Sequence, residues 1–350
     1  MAGGEKVREL FAHYCKKIDE ALISIFDCYP DIEMYKHMSY FMGFRDENLE
    51  PTKQYGGKRF RSSLAYMLGD WYGAGDKMLD VATSIELFHN FTLIHDDIVD
   101  GDDLRRGRKT VWKLFGTDHA INSGDGQLLL ALEVITKSSR CTPEEKIAVY
   151  NFLSEQYRKV VEGQFLDFTL TALPLGDEHV TENEYFKMVG RKTADLIAAA
   201  TKVPGIVAGK GEEECERLFL YGYDLGLAYQ LCDDCVSIWG SEEDTGKRAY
   251  GDILERKKTF PILYAYKLGN EEEKEKLRKV FNGDNVTVQD AEMIVQILDS
   301  HDVYTHTKNL YKKYAQEAKE VARTLDISDE NKNTLIGIVD VLLPDIKTVD

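Results

Sequence analysis

Apolar side chains recur at three- and four-residue steps along almost the whole chain, and this pattern limits the possible folds more than any other feature. Residues 5–27 set Val7, Leu10, Phe11, Tyr14, Ile18, Leu22 and Phe26 on one face of a helix. The same period predicts helices over 77–100, 118–138, 143–170, 182–203, 212–240, 259–282, 287–300 and 302–325. No stretch alternates convincingly with a period of two, so a sheet is not expected. With only 7 prolines in 350 residues, long uninterrupted helices are permitted. Breaks fall at Gly56-Gly57, Gly73 to Asp76, Gly101 to Arg108, Pro174 to His179 and Ser241 to Asp252. No Pro/Ser-rich linker, composition shift or short repeat divides the chain, which reads as one all-α domain over 1–350.

The formal net charge of −17 argues against a general affinity for nucleic acid or anionic membrane. An anionic ligand must therefore meet local basic clusters that work against the overall field. The six cysteines are scattered and follow no secretory pattern, which fits free thiols in a reducing cytoplasm. Cys232 and Cys235 form a C-x-x-C, but neither a second cysteine pair nor spaced histidines complete a zinc site. No apolar run reaches the roughly 18 residues a membrane-spanning helix needs.

Two acidic segments stand out. In His89-Asn-Phe-Thr-Leu-Ile-His-Asp96-Asp97-Ile-Val-Asp100, Asp96 and Asp100 lie four residues apart, so a helix stacks both carboxylates on one face. Like charges so placed repel unless a cation intervenes. Phe91, Leu93, Ile94, Ile98 and Val99 surround them, so the helix belongs to a core and its acids should line a cavity. Mg²⁺ suits such a place: a hard ion that takes one or two carboxylates and shares its other positions with water and phosphates. The second segment carries Asp233-Asp234 near the end of another long helix, with Gln230 on nearly the same face. Gly222 and Gly226 in that helix would let a neighbour approach closely, and their cost of about 1 kcal/mol each relative to alanine needs packing to offset it.

Basic residues answer the acids. Arg105-Arg106-Gly107-Arg108-Lys109 follows Asp100 directly, and arginine offers phosphate a bidentate fork. Gly57-Lys58-Arg59-Phe60-Arg61 enters a helix at its amino end, where free N–H groups also favour anions. Arg191-Lys192-Thr193, Lys247 and Arg256-Lys257-Lys258-Thr259 come later. Singly, each is an ordinary surface charge. Their co-occurrence with two acidic helix ends is not.

Taken in order, Gly57-Lys58-Arg59-x-Arg61, Asp96-Asp97-x-x-Asp100 with Arg105-Arg106-Gly107, Glu162-Gly163-Gln164-x-x-Asp167, Lys192-Thr193-Ala194, Gln230-x-x-Asp233-Asp234, Gly246-Lys247 with Asp252, and Lys257-x-Thr259 resemble the trans-isoprenyl diphosphate synthases over 50–265. The resemblance implies an isoprenoid synthase fold, a helical bundle around a deep central cavity, and a homodimer. It implies Lys58, Arg61, His89 and Arg106 as the isopentenyl diphosphate site. Arg105, Lys192, Thr193, Gln230, Lys247 and Lys257 would hold the allylic diphosphate, with Lys192, Thr193 and Gln230 also serving catalysis. Asp96, Asp100 and Asp233 would bind three Mg²⁺ ions, supported through water by Asp97, Asp234 and Asp252. One position departs from the pattern: Ser237 stands where the second motif normally ends in aspartate, leaving a hydroxyl to hold a metal-bound water.

In this family, bulky residues one and two turns before the first acidic motif act as the floor of the tail pocket. Phe91 lies five residues before Asp96, Phe88 eight and the small Thr92 four, an arrangement like that of geranylgeranyl-forming enzymes, with farnesyl next. A terpene cyclase has no need of Lys58, Arg61 and His89. A non-catalytic modulatory subunit of a prenyl synthase would be expected to lose Asp96, Asp100 or Arg105, all present here, but Ser237 keeps that alternative open. A structural or metal-buffering helical protein leaves the ordered basic clusters unexplained.

Overall fold

The computed structural model describes residues 2–29, 31–52, 57–240 and 249–343, which are helical almost throughout. The strands among them are two-residue pieces, β1 (Leu104–Arg105) and β2 (Arg108–Lys109), paired antiparallel. The chain groups into two compact units, Met1–Glu155 with Ala200–Cys215, and Gln156–Ala199 with Glu216–Asp350.

The first unit is built on α4 (Lys77–Asp100), which packs against α1 (Ala2–Asp27), α3 (Phe60–Trp71) and above all α6 (Thr117–Lys137). Ile18 and Leu22 of α1, Leu64 and Met67 of α3, and Ile85 and Phe88 of α4 are all fully buried. Each such side chain contributes about 1.5–3 kcal/mol by leaving water. Gly124 of α6 faces the His95 ring, where any Cβ would overlap the imidazole, so glycine sets how closely α4 and α6 approach. Gln127 reinforces the contact by donating to the Leu87 carbonyl oxygen at 3.0 Å. α2 (Glu33–Phe41) and the short α5 (Val111–Phe115) complete this unit's main helices, and neither was outlined by the apolar period.

The second unit carries the end of α7 (Pro143–Ala172), α8 (Glu182–Val189), the start of α9 (Asp195–Val207) and most of α10 (Glu212–Trp239). Between α8 and α9 the chain makes a π-helical turn, Gly190–Ala194, where one continuous helix was predicted. Close packing explains it. Gly163 of α7 lies against the Lys192 backbone, and Gly226 of α10 against the backbone of Ala194. Missing Cβ atoms on both sides make room for a widened turn. Beyond α10 come Gly251–Leu254, Phe260–Leu268, Glu271–Phe281, Val288–Ser300, Val303–Thr324 and Asp329–Leu342. The helix expected over 259–282 is broken at Gly269, where Asn270 caps the next one in a reciprocal box with Glu273. Tyr221 of α10 donates to the Leu335 carbonyl oxygen at 3.0 Å and ties the last of these helices to the core.

Candidate active site

In the first unit, the basic residues gather around His89. The Arg61 guanidinium (Nη1) lies 3.2 Å from His89 Nε2. A guanidinium can only donate, so Nε2 accepts and the ring proton sits on Nδ1. Burial, then the charges of Arg61, Arg106, Arg105 and Arg59, hold the imidazole well below its usual range, so it is neutral at pH 7. Arg106 packs its guanidinium over Gly57: a Cβ there would sit 2.8 Å from Arg106 Cζ. Lys58, next in the chain, is exposed. Thus Arg61, His89 and Arg106 are brought together, and Lys58 borders them.

Arg105 and Arg106 are presented by the β1–β2 hairpin, whose turn residues Arg106 and Gly107 have φ of +53° and +74°. The hairpin is anchored by Arg108, a member of the basic run read from the sequence as suited to phosphate. Its guanidinium instead lies 4.2 Å from the Tyr40 ring centroid and donates to the carbonyl oxygens of Tyr40 (3.0 Å) and Arg45 (2.6 Å). Tyr40 returns a hydrogen bond to the Lys109 carbonyl oxygen at 2.7 Å. Arg108 is therefore an anchor of the hairpin.

Asp96 is half-buried and Asp100 exposed on the last turns of α4, while Asp97 is 1% exposed. Arg105 Nε donates to Asp97 Oδ1. Burial nevertheless pushes Asp97 up to about 6, and its Oδ2 is buried without a hydrogen-bond partner. One turn back, the Phe88 and Phe91 rings lie 5.2 Å apart, and Phe91 meets His95 edge-on, also at 5.2 Å. Phe88 is fully buried and Phe91 is 6% exposed. The Thr92 hydroxyl donates to the His89 carbonyl oxygen at 2.7 Å, so it turns back on its own helix.

The second unit holds a polar chain. Thr193 Oγ1 donates to Gln230 Oε1 at 2.8 Å, and Gln230 Nε2 donates to Asp234 Oδ1 at 2.9 Å. Tyr185 donates to Asp234 Oδ2 at 2.5 Å. Burial, with Asp252 next in importance, raises Asp234 far above the usual carboxylate range, and burial raises Asp252 as well. The Ser237 hydroxyl accepts from the Asp252 backbone N–H at 3.0 Å, so it serves the neighbouring turn and is not simply open to a metal-bound water. Asp233 is half-exposed. Lys192 pairs with Asp167 of α7, and Lys257 with Glu255 at 2.6 Å. Lys247 lies outside the described residues.

Two contributors escaped the sequence reading. Tyr185 stands 49 residues from the carboxylate it serves, and no spacing rule points to it. Arg59 had a visible signal, its place inside the basic motif, but nothing in the sequence announces its burial.

The donor set suits Mg²⁺. Among the described residues no three His, Cys, Asp or Glu side chains form a closed cage. Mg²⁺ is typically held by one or two carboxylates with water and phosphate oxygens completing its shell. Crowded carboxylates and the orphaned Asp97 oxygen are what a divalent cation would relieve.

The polyprenyl synthetase family profile matches residues 45–298. The chain belongs to the polyprenyl synthetase family. It is 33% identical over 304 residues to a geranylgeranyl diphosphate synthase of Methanosarcina mazei, covering 85% of this chain and 90% of that one. It is 39% identical over 235 residues to a (2E,6E)-farnesyl diphosphate synthase of Mycobacterium tuberculosis, a match spanning 67% of this chain and 64% of that protein, a little under two thirds. The fold resembles the crystal structure of a geranylgeranyl pyrophosphate synthetase from Pyrococcus horikoshii, with a TM-score of 0.83 and 28% identity across 97% of this chain and 99% of the other. The all-α fold is thus that of the polyprenyl synthetases. Among the described residues, no helix is long and apolar enough to cross a membrane.

Proposed function

We propose that this polyprenyl synthetase is a short-chain, Mg²⁺-dependent trans-prenyltransferase that condenses isopentenyl diphosphate with an allylic diphosphate and releases geranylgeranyl diphosphate. The observation that carries the reading is the Arg61 guanidinium 3.2 Å from His89 Nε2, with the charges of Arg106 and Arg105 also acting on that imidazole. This cradle is rich in fixed donors. A second diphosphate needs such a place, and a cyclase does not.

In this reading Lys58, Arg61, Arg106 and the Nδ1–H of His89 hold the diphosphate of isopentenyl diphosphate. Arg105, Lys192, Thr193, Gln230, Lys247 and Lys257 hold the allylic diphosphate. Asp96, Asp100 and Asp233 hold three Mg²⁺ ions, with Asp97, Asp234 and Asp252 behind them. Bound Mg²⁺ supplies neutralisation of the charge that builds on the departing diphosphate. The C–O bond of the allylic substrate breaks with its electron pair leaving on that diphosphate, whose charge Arg105, Lys192 and Lys257 stabilise. Thr193 and Gln230 turn oxygen dipoles toward the positive carbon. The double bond of isopentenyl diphosphate then forms the new C–C bond, and the released diphosphate takes the proton. No protein nucleophile is required.

The deciding experiment is incubation of the purified protein with Mg²⁺, labelled isopentenyl diphosphate and each allylic primer in turn, read by chain length. No elongation from any primer sinks the proposal. A dominant farnesyl product favours the second reading, which the mycobacterial relative supports. Phe88, Phe91 and Thr92 form the proposed floor, so Phe91→Ala is expected to lengthen the product. Unchanged length would remove Phe91 from that role. A homodimer completes the reading: Val161, Phe165 and Phe168 lie along one side of α7 and are 47%, 70% and 40% exposed. Sedimentation giving the mass of a single chain would contradict it.

A further inference from the structure

Three buried charges meet beneath the basic turn that precedes α3. Arg59 is 2% exposed, and its guanidinium reaches three separate parts of the first unit. Nε donates to Asp19 Oδ1 of α1 at 2.8 Å, Nη1 to Glu86 Oε1 of α4 at 3.3 Å, and Nη2 to the Met42 carbonyl oxygen at 2.8 Å. Glu86 is held in turn by Ser62 Oγ and by Asn90 Nδ2, both at 2.7 Å. The Arg59 backbone stands at φ +45°, a left-handed conformation that a side-chain-bearing residue keeps only when its surroundings impose it.

This arrangement is a poor device for stability alone. Two carboxylates share one guanidinium, and buried ion clusters of this kind are often matched or bettered by apolar side chains of similar volume. What the rigid fork supplies is direction, because each N–H is committed to a different partner. The residues it directs are its neighbours. Lys58 precedes Arg59, and Arg61 follows one residue later and touches His89. Glu86 sits three residues before His89 on α4, so the cluster grips the turn and the histidine's helix face together. Gly57, at φ +90°, carries the surface on which Arg106 rests.

We propose that Arg59 is a positioning residue for isopentenyl diphosphate: its pairing with Asp19 and Glu86 holds Lys58 and Arg61 in register with His89 and Arg106, so the cradle is formed before substrate arrives. The inference rests on the reading of those four residues as the isopentenyl diphosphate site.

The test is steady-state kinetics on the full chain, varying each substrate separately, for Arg59→Lys, Asp19→Asn and Arg61→Gln. Lysine keeps the buried positive charge but lacks the wide planar fork that reaches three separated acceptors. Arg59→Lys is therefore expected to raise the KM for isopentenyl diphosphate about tenfold, with kcat and the allylic KM changed by less than about threefold. Asp19→Asn shifts the same KM about threefold in the same direction. Thermal unfolding of each variant is followed in parallel, and if Arg59→Lys does not fold, Asp19→Asn decides alone. Positioning is overturned if the folded variants leave that KM within about twofold while Arg61→Gln raises it, or if both substrates' KM values rise together. If Arg61→Gln is also without effect, the assignment of the cradle itself fails.

Discussion

The Asp-Asp pair near the end of α4 and the one inside α10 carry the same residues in contrasting surroundings. In the first, Asp97 is gripped by the Arg105 guanidinium, which rides on a short hairpin anchored by Arg108 and Tyr40. In the second, Asp234 is 2% exposed and gripped by neutral donors, the Tyr185 hydroxyl and the Gln230 amide. Asp97 is balanced by a full charge, Asp234 by fixed dipoles. That difference explains how Ser237 is tolerated. A carboxylate at 237 would crowd Asp252, whose backbone N–H the serine hydroxyl now accepts.

If both ends hold metal, Asp96→Asn and Asp233→Asn should each lower kcat/KM about a thousandfold, measured at saturating Mg²⁺. A loss below about tenfold for Asp233→Asn would leave a single functional end and break the comparison. Next in size is Tyr185→Phe. It deprives a buried carboxylate oxygen of its donor and should cost about 1–3 kcal/mol in thermal or denaturant unfolding. An unaltered midpoint would mean that Gln230 alone satisfies Asp234. The smallest effect is expected from Ser237→Asp, which should lower metal-free stability by about 1 kcal/mol and be repaired as Mg²⁺ is added. Equal stability with and without the ion would show that the serine is a neutral replacement.

The long helices and both acidic segments were legible because apolar period and charge spacing are local properties. α4 was predicted at the limits it has, 77–100. α2 and α3 were not outlined. α2 is 9 residues long, and α3 is buried over most of its surface, so its apolar period is blurred. The β1–β2 hairpin was read as a loop because two-residue strands leave no alternation to count. Side-chain direction was the harder problem. Arg105, Arg106 and Arg108 are equivalent as letters, yet Arg108 turns to Tyr40 because β1 and β2 place it beside α2. Arg59 and Arg61 differ in the same way. One is buried among carboxylates and the other meets His89, and the positive φ at Arg59 is part of what separates their paths.

The widened turn at Gly190–Ala194 has a consequence for how such a chain can vary. A π turn holds one residue more than an ordinary helical turn, so the register after it is rotated by about 100° relative to the register before. Loss of a single residue there would leave the local hydrophobicity almost unchanged and yet swing Lys192 and Thr193 around the helix axis. The residue count across Gly190–Ala194 is therefore under a constraint of its own, separate from that on side-chain identity.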